Sequence, residues 1–167
     1  YLGRLQKAKR PIEIVEAFRL AEASNLHLVL AGPGETYSPE DLRHLVQMMG
    51  VNRVHVPGPV YRWRKDGLLF AADGLISLSA KENFNLAATE AMSAGRPVIL
   101  SPGNDLQGEL DGVDCGWLLE SDDLAEAVHA IREFAQLPED QLAAKGGVAR
   151  DWVTTNLGFE NFRHRLE

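Results

Sequence analysis

The sequence predicts an α/β fold in which a parallel sheet is covered by helices on both faces, and three observations carry that reading. Short runs such as Leu75-Ile-Ser-Leu-Ser79 and Val98-Ile-Leu-Ser101 are apolar and bounded by turn residues, as strands buried on both faces of a parallel sheet are. Other stretches place apolar residues at helical spacing, Ile14, Val15, Phe18 and Ala21 being one set. The connections are short, so strand and helix alternate as crossover units require.

In chain order, Leu2-Gly-Arg4 closes a first strand and a helix covers 12–23. Leu26-His-Leu-Val-Leu-Ala-Gly32 is a second strand, ended by Gly32-Pro33-Gly34. Ser38 caps a helix with Pro39 in its first position, running to residue 49. Val54-His-Val56 is a short third strand broken by Pro57-Gly58-Pro59, and 68–72 closes the next helix. After the strand at 75–79 comes a loop over 80–84. Asn85 is a good N-cap for a helix over 86–94, which Gly95, in the C′ place before Arg96-Pro97, stops. Gly116-Trp-Leu-Leu119 is a weak last strand, since Gly116 and Trp117 leave little apolar pattern. Stretches 122–134, 139–153 and 159–166 are helical in period and charge pattern.

With 167 residues and 45% apolar side chains, the chain is long enough for one well-cored domain and short for two. It carries no run of membrane-span length and no charged-then-apolar leader, so a cytoplasmic protein is expected. Tyr1-Leu-Gly-Arg4 reads as the end of a strand and no initiator Met is present, so 1–167 is expected to be a single domain cut from a larger protein. A net charge of −7 argues against nucleic-acid binding, which needs a basic footprint. The lone Cys115 excludes an intrachain disulfide and reads as a small buried thiol. The five histidines lack metal-ligand spacing, and no metal is expected.

The stretch from Glu82 to Pro97 is the informative one. Glu82 lies just past the carboxyl end of a strand, where open parallel sheets bind ligands, and Glu90 lies about one turn into the following helix. Between them the N–H groups of Leu86 and Ala87 open a helix N-terminus, which suits an anion. Two acceptor carboxylates flanking these donors suit a ligand with both hydroxyls and phosphates. The alternative is that Glu82 is solvated and Glu90 simply favours the first helical turn. Arg4, Lys7, Lys9 and Arg10 form an acid-free run. With all strands parallel, Arg4 and Lys9 leave the first strand at the same sheet edge as Glu82 and could hold a diphosphate; a solvated charge run is the alternative. Gly32-Pro33-Gly34 lacks the third glycine of a dinucleotide loop and reads as a tight turn.

Several segments together, Gly3-Arg4-Leu5 with Lys9, Leu28-Val-Leu-Ala-Gly-Pro-Gly34, Gly58-Pro-Val60, Ala72-Asp73, and Glu82-x-Phe84-x-Leu86 with Glu90-Ala91-Met92 and Gly95-x-Pro97-Val98, resemble the donor half of a retaining GT-B glycosyltransferase of family 4. The resemblance implies a Rossmann-like domain, the C-terminal half of a GT-B fold, that binds a nucleoside-diphosphate sugar. It implies Arg4, Lys9 and Glu82 as catalytic residues. The two cations would bind the diphosphate in place of a metal ion, and Glu82 would bond sugar hydroxyls. Phe84, Asn85 and Leu86 would touch sugar and phosphates, Glu90 the ribose, and the backbone near Val60 the base. No cofactor is implied, and the acceptor would sit on a separate N-terminal domain, so this chain alone would be inactive. Two departures stand out. Asn85 replaces a usual Gly and is tolerated because Asn visits the left-handed region. Arg10 replaces another and could crowd or reinforce the phosphate site. The competing readings are a GT-B epimerase or phosphorylase, or a non-catalytic nucleotide-sugar or interaction module using Tyr61-Arg-Trp-Arg-Lys65, a segment read otherwise as a helix start with an aromatic anchor.

Overall fold

The computed structural model describes residues 1–158; the helix expected over 159–166 lies outside them. Strands β1 (Leu28–Ala31) and β2 (Val54–Gly58) pair in parallel, and β3 (Leu75–Ser77), β4 (Val98–Leu100) and β5 (Gly116–Leu118) form a second parallel ladder in that order. Seven helices join them among the described residues: α1 (Pro11–Ala21), α2 (Pro39–Met48), α3 (Trp63–Ala71), α4 (Leu86–Ser93), α5 (Asp105–Glu109), α6 (Leu124–Gln136) and α7 (Glu139–Leu157). The α/β class and the parallel pairing are those the sequence predicts.

One expectation is corrected. The first strand is reduced to isolated parallel bridges of Leu2 with Ala31 and Leu5 with Gly34. It bonds β1 on one side, Gly3 N donating to Ala31 O and Leu5 N to Pro33 O, before the chain turns into a 3₁₀ turn at Lys7–Lys9. No backbone bond joins it to β3 among the described residues, so the expected single sheet is two ladders. α5 is a further element, whose five residues are too few to show a helical period.

Alternation sends successive strand residues to opposite faces. Leu75, Val98 and Leu100 pack with Ala88, Ala91 and Met92 of α4 and Ala149 of α7. Ile76 and Ile99 pack with Ile14 and Phe18 of α1 and Ile131 of α6. Each fully buried aliphatic side chain contributes about 1.5–3 kcal/mol. α2 begins with a reciprocal cap, Asp41 N donating to Ser38 Oγ and Ser38 N to the Asp41 carboxylate. Gly32 is required by close approach, because a Cβ there would lie 1.7 Å from Gly3 O. The outcome is that the first segment, β3 and β4 all deliver their following loops to one edge. No described helix is long and apolar enough to cross a membrane.

Candidate functional site at the carboxyl edge of the strands

The loop after β3 is held from both sides. Ala80 N donates to Ala8 O at 2.9 Å, Glu82 N to Gly103 O at 2.7 Å, and Asp105 N to Glu82 O at 3.0 Å. This lays the Glu82 loop between the basic turn and the loop leaving β4. Gly103 is needed there, since a Cβ would fall 2.2 Å from Ser79 O.

Asn85 ends the loop as the expected N-cap, its Oδ1 accepting from Ala88 N at 3.1 Å. Its backbone lies at φ −73°, ψ 84°, so the left-handed tolerance expected of it is not what admits it. The side chain is turned inward and buried, with Nδ2 donating to Ser77 Oγ at 2.9 Å and to Asn104 Oδ1 at 2.7 Å. Asn104 in turn donates to Ser101 O at 3.0 Å, and Ser101 Oγ to Ser79 O at 2.8 Å. A buried polar network whose members are satisfied fixes position in a way an apolar core does not. It anchors the first turn of α4 to the ends of β3 and β4 and leaves the N–H groups of Leu86 and Ala87 without a partner among the described residues. Phe84 and Leu86 flank that turn and are exposed.

The charged side chains converge as the edge argument requires, but as pairs. Lys9 Nζ contacts the Glu82 carboxylate, both side chains being mostly buried. Burial, and next the nearby Arg4 guanidinium, pull the Lys9 ammonium below the usual lysine range, while Glu35 opposes this. Arg4 itself is exposed and bonds Glu35 at 2.7 Å. Lys65 in the first turn of α3 reaches Glu90 Oε1 at 2.5 Å, which ties α3 to α4. Val60, half-buried, lies just before α3 on that side. Arg10 has the left-handed backbone, φ 53° and ψ 46°, and its guanidinium is committed to Asp122 at 2.6 Å, which replaces both expectations for it. Trp63 and Tyr61 are exposed, so the segment is a helix start without the expected aromatic anchor.

Glu35, Lys65 and Asn104 escaped the sequence reading. Glu35 and Asn104 follow strands at the same edge as Glu82, and that edge rule, applied to every strand, finds both. Lys65 sat inside a segment weighed as an interaction motif. Cys115 is buried as expected, and burial pushes its thiol up to about 11, out of nucleophilic range.

The profile of the family described as glycosyl transferases group 1 matches residues 1–146. The D-inositol 3-phosphate glycosyltransferase of Streptomyces avermitilis is 30% identical over 159 residues, covering 89% of this chain and 34% of that protein. The chain thus spans about a third of the length of the curated relatives it matches. Among solved structures, the HepE protein of Anabaena, in complex with UDP and glucose, matches with a TM-score of 0.79 at 18% identity over 99% of this chain and 45% of that one. The C-terminal domain of a glycosyl transferase group 1 family protein (LpcC) from Francisella tularensis matches with a TM-score of 0.78 at 21% identity, covering 95% of this chain and 85% of that one.

Proposed function

Because the chain belongs to the family of glycosyl transferases group 1, we propose that it is the donor-binding domain of a retaining family 4 enzyme, taking a hexose from a nucleoside-diphosphate sugar. Its fold is that of the GT-B glycosyltransferases. The observation that supports the donor role best is the convergence, at one strand edge, of Lys9, Glu82 and the unpartnered N–H groups that open α4. A diphosphate brings anionic oxygens and a sugar brings hydroxyls. Binding would exchange the Lys9–Glu82 contact for Lys9 on phosphate and Glu82 on sugar hydroxyls, conserving the number of charge-assisted bonds. Glu90 would exchange Lys65 for ribose hydroxyls in the same way.

As the diphosphate leaves, negative charge grows on its oxygens. Arg4, Lys9 and the N-terminus of α4 would stabilise it, together supplying several kcal/mol of barrier, a charge role that a metal ion fills elsewhere. The acceptor would be held by a second domain, and this domain alone would bind donor without turning it over.

The test is a ligand-observed NMR and thermal-shift panel of nucleoside-diphosphate sugars, run on the parent chain and on Arg4→Ala and Glu90→Ala. Binding in the millimolar range, weakened about tenfold by either substitution, is expected. A parent chain that binds none of the panel overturns the donor role. Binding that neither substitution weakens leaves the fold and removes this site.

A further inference from the structure

Toward the amino end of the first ladder, away from the strand edge that carries Glu82, two histidines meet. His27 stands just before β1 and His55 lies in β2, and both are exposed. His27 Nδ1 and His55 Nε2 are 2.9 Å apart, the ring planes differ by 22° and the centroids lie 5.2 Å apart. That centroid spacing is the nitrogen gap plus two ring radii, so the imidazoles meet nitrogen to nitrogen. The 28 positions between them hide the pair from any reading of ligand spacing along the chain.

Strand pairing puts them there. Leu28, Val54 and Val56 point into the core, so alternation places His27 and His55 together on the opposite face of the ladder. Leu28 N donates to Arg53 O at 2.9 Å, while Arg53 Nε and Nη2 donate to Leu26 O at 3.0 Å and Ala23 O at 3.2 Å. These bonds bracket His27 and fix it against the segment that carries His55. The distance between the rings is thus preset by the backbone, which lowers the ordering cost of a ligand that takes both.

A divalent transition metal bonds imidazole nitrogen at about 2.0–2.1 Å, and two such bonds at a right angle set their nitrogens about 2.9 Å apart. A tetrahedral angle needs about 3.3 Å. The gap here matches the right angle, which copper(II) and nickel(II) adopt and tetrahedral zinc does not. We propose that His27 and His55 form a surface chelate for a divalent transition metal, with copper(II) held most tightly. The proton between the neutral rings moves, by way of solvent, to the outer nitrogen of the ring that carried it. Each facing nitrogen then gives its lone pair to the metal, with no proton lost and no redox step. Both rings tip toward solvent so that the lone pairs converge, which their exposure permits. Among the described residues no group of three or more His, Cys, Asp or Glu side chains is placed to hold a metal, so water fills the remaining positions and the ion exchanges readily. The chelate ties β1 to β2 roughly 13 Å of strand from the carboxyl edge, and it stands whether or not the donor reading does.

The test titrates copper(II), nickel(II) and zinc(II) salts, one at a time, into the metal-stripped chain by calorimetry, at about pH 7.5 in a weakly coordinating buffer. His27→Gln, His55→Gln and, as an exposed control, His44→Gln are titrated alongside. Copper should bind at one per chain and more tightly than nickel or zinc. Either His27→Gln or His55→Gln should weaken it at least about tenfold, and His44→Gln should leave it unchanged. The electron paramagnetic resonance spectrum of the copper-loaded parent should show coupling to two imidazole nitrogens, a readout that needs no variant. Copper binding that neither substitution weakens, or coupling to a single imidazole nitrogen, overturns the chelate. So does a parent chain that binds none of the three metals in the millimolar range.

Discussion

At the scale of single residues, Asn85 and Arg10 exchange the roles their chemistry suggests. Asn85 sits at negative φ and does its work through the side chain, while Arg10, a residue with no liking for the left-handed region, is the one held there. Replacing Asn85 with Ala removes a helix cap and leaves Ser77 and Asn104 each short of a buried partner. A loss of about 2–3 kcal/mol, read from urea unfolding at unchanged m-value, is expected. At position 10 the comparison is between two variants that both lose Asp122: Arg10→Gly should be more stable than Arg10→Ala by about 1 kcal/mol, because only glycine is unstrained at that φ. The cap was legible, since Asn before an apolar helical run is a local signal. The inward hydrogen bonds were not, because their acceptors are 8 and 19 positions away.

At the scale of elements, α7 shows how one helix treats adjacent glycines differently. A Cβ on Gly146 would come 2.0 Å from Gly95 O, so the crossing of α4 and α7 depends on backbone meeting backbone. Nothing lies within 4 Å of the corresponding position on Gly147. Gly147→Ala should therefore raise the thermal midpoint, in line with about 0.5–1 kcal/mol of helix propensity. Gly146→Ala should lower it despite gaining the same propensity. The longer helices were readable because each repeats its apolar period several times. α5 was not, and the first strand is shorter than its apolar residues suggest, because they do not reveal how many neighbours it bonds.

At the scale of the molecule, the placement of the site was legible where topology governs it: with all strands parallel, every loop after a strand arrives at one edge, and Lys9 meets Glu82 across 73 positions of chain. Which acid each cation takes was not legible, since a contact between distant segments leaves no local trace. A consequence for kinetics follows from the four ion pairs around the crevice, Arg4 with Glu35, Lys9 with Glu82, Arg10 with Asp122 and Lys65 with Glu90. The fields of these four pairs cancel within a few ångströms, while the overall charge of −7 repels the proposed doubly negative donor. Stopped-flow association should accordingly quicken as sodium chloride rises from about 20 to about 200 mM and the repulsion is screened, the reverse of electrostatically guided capture.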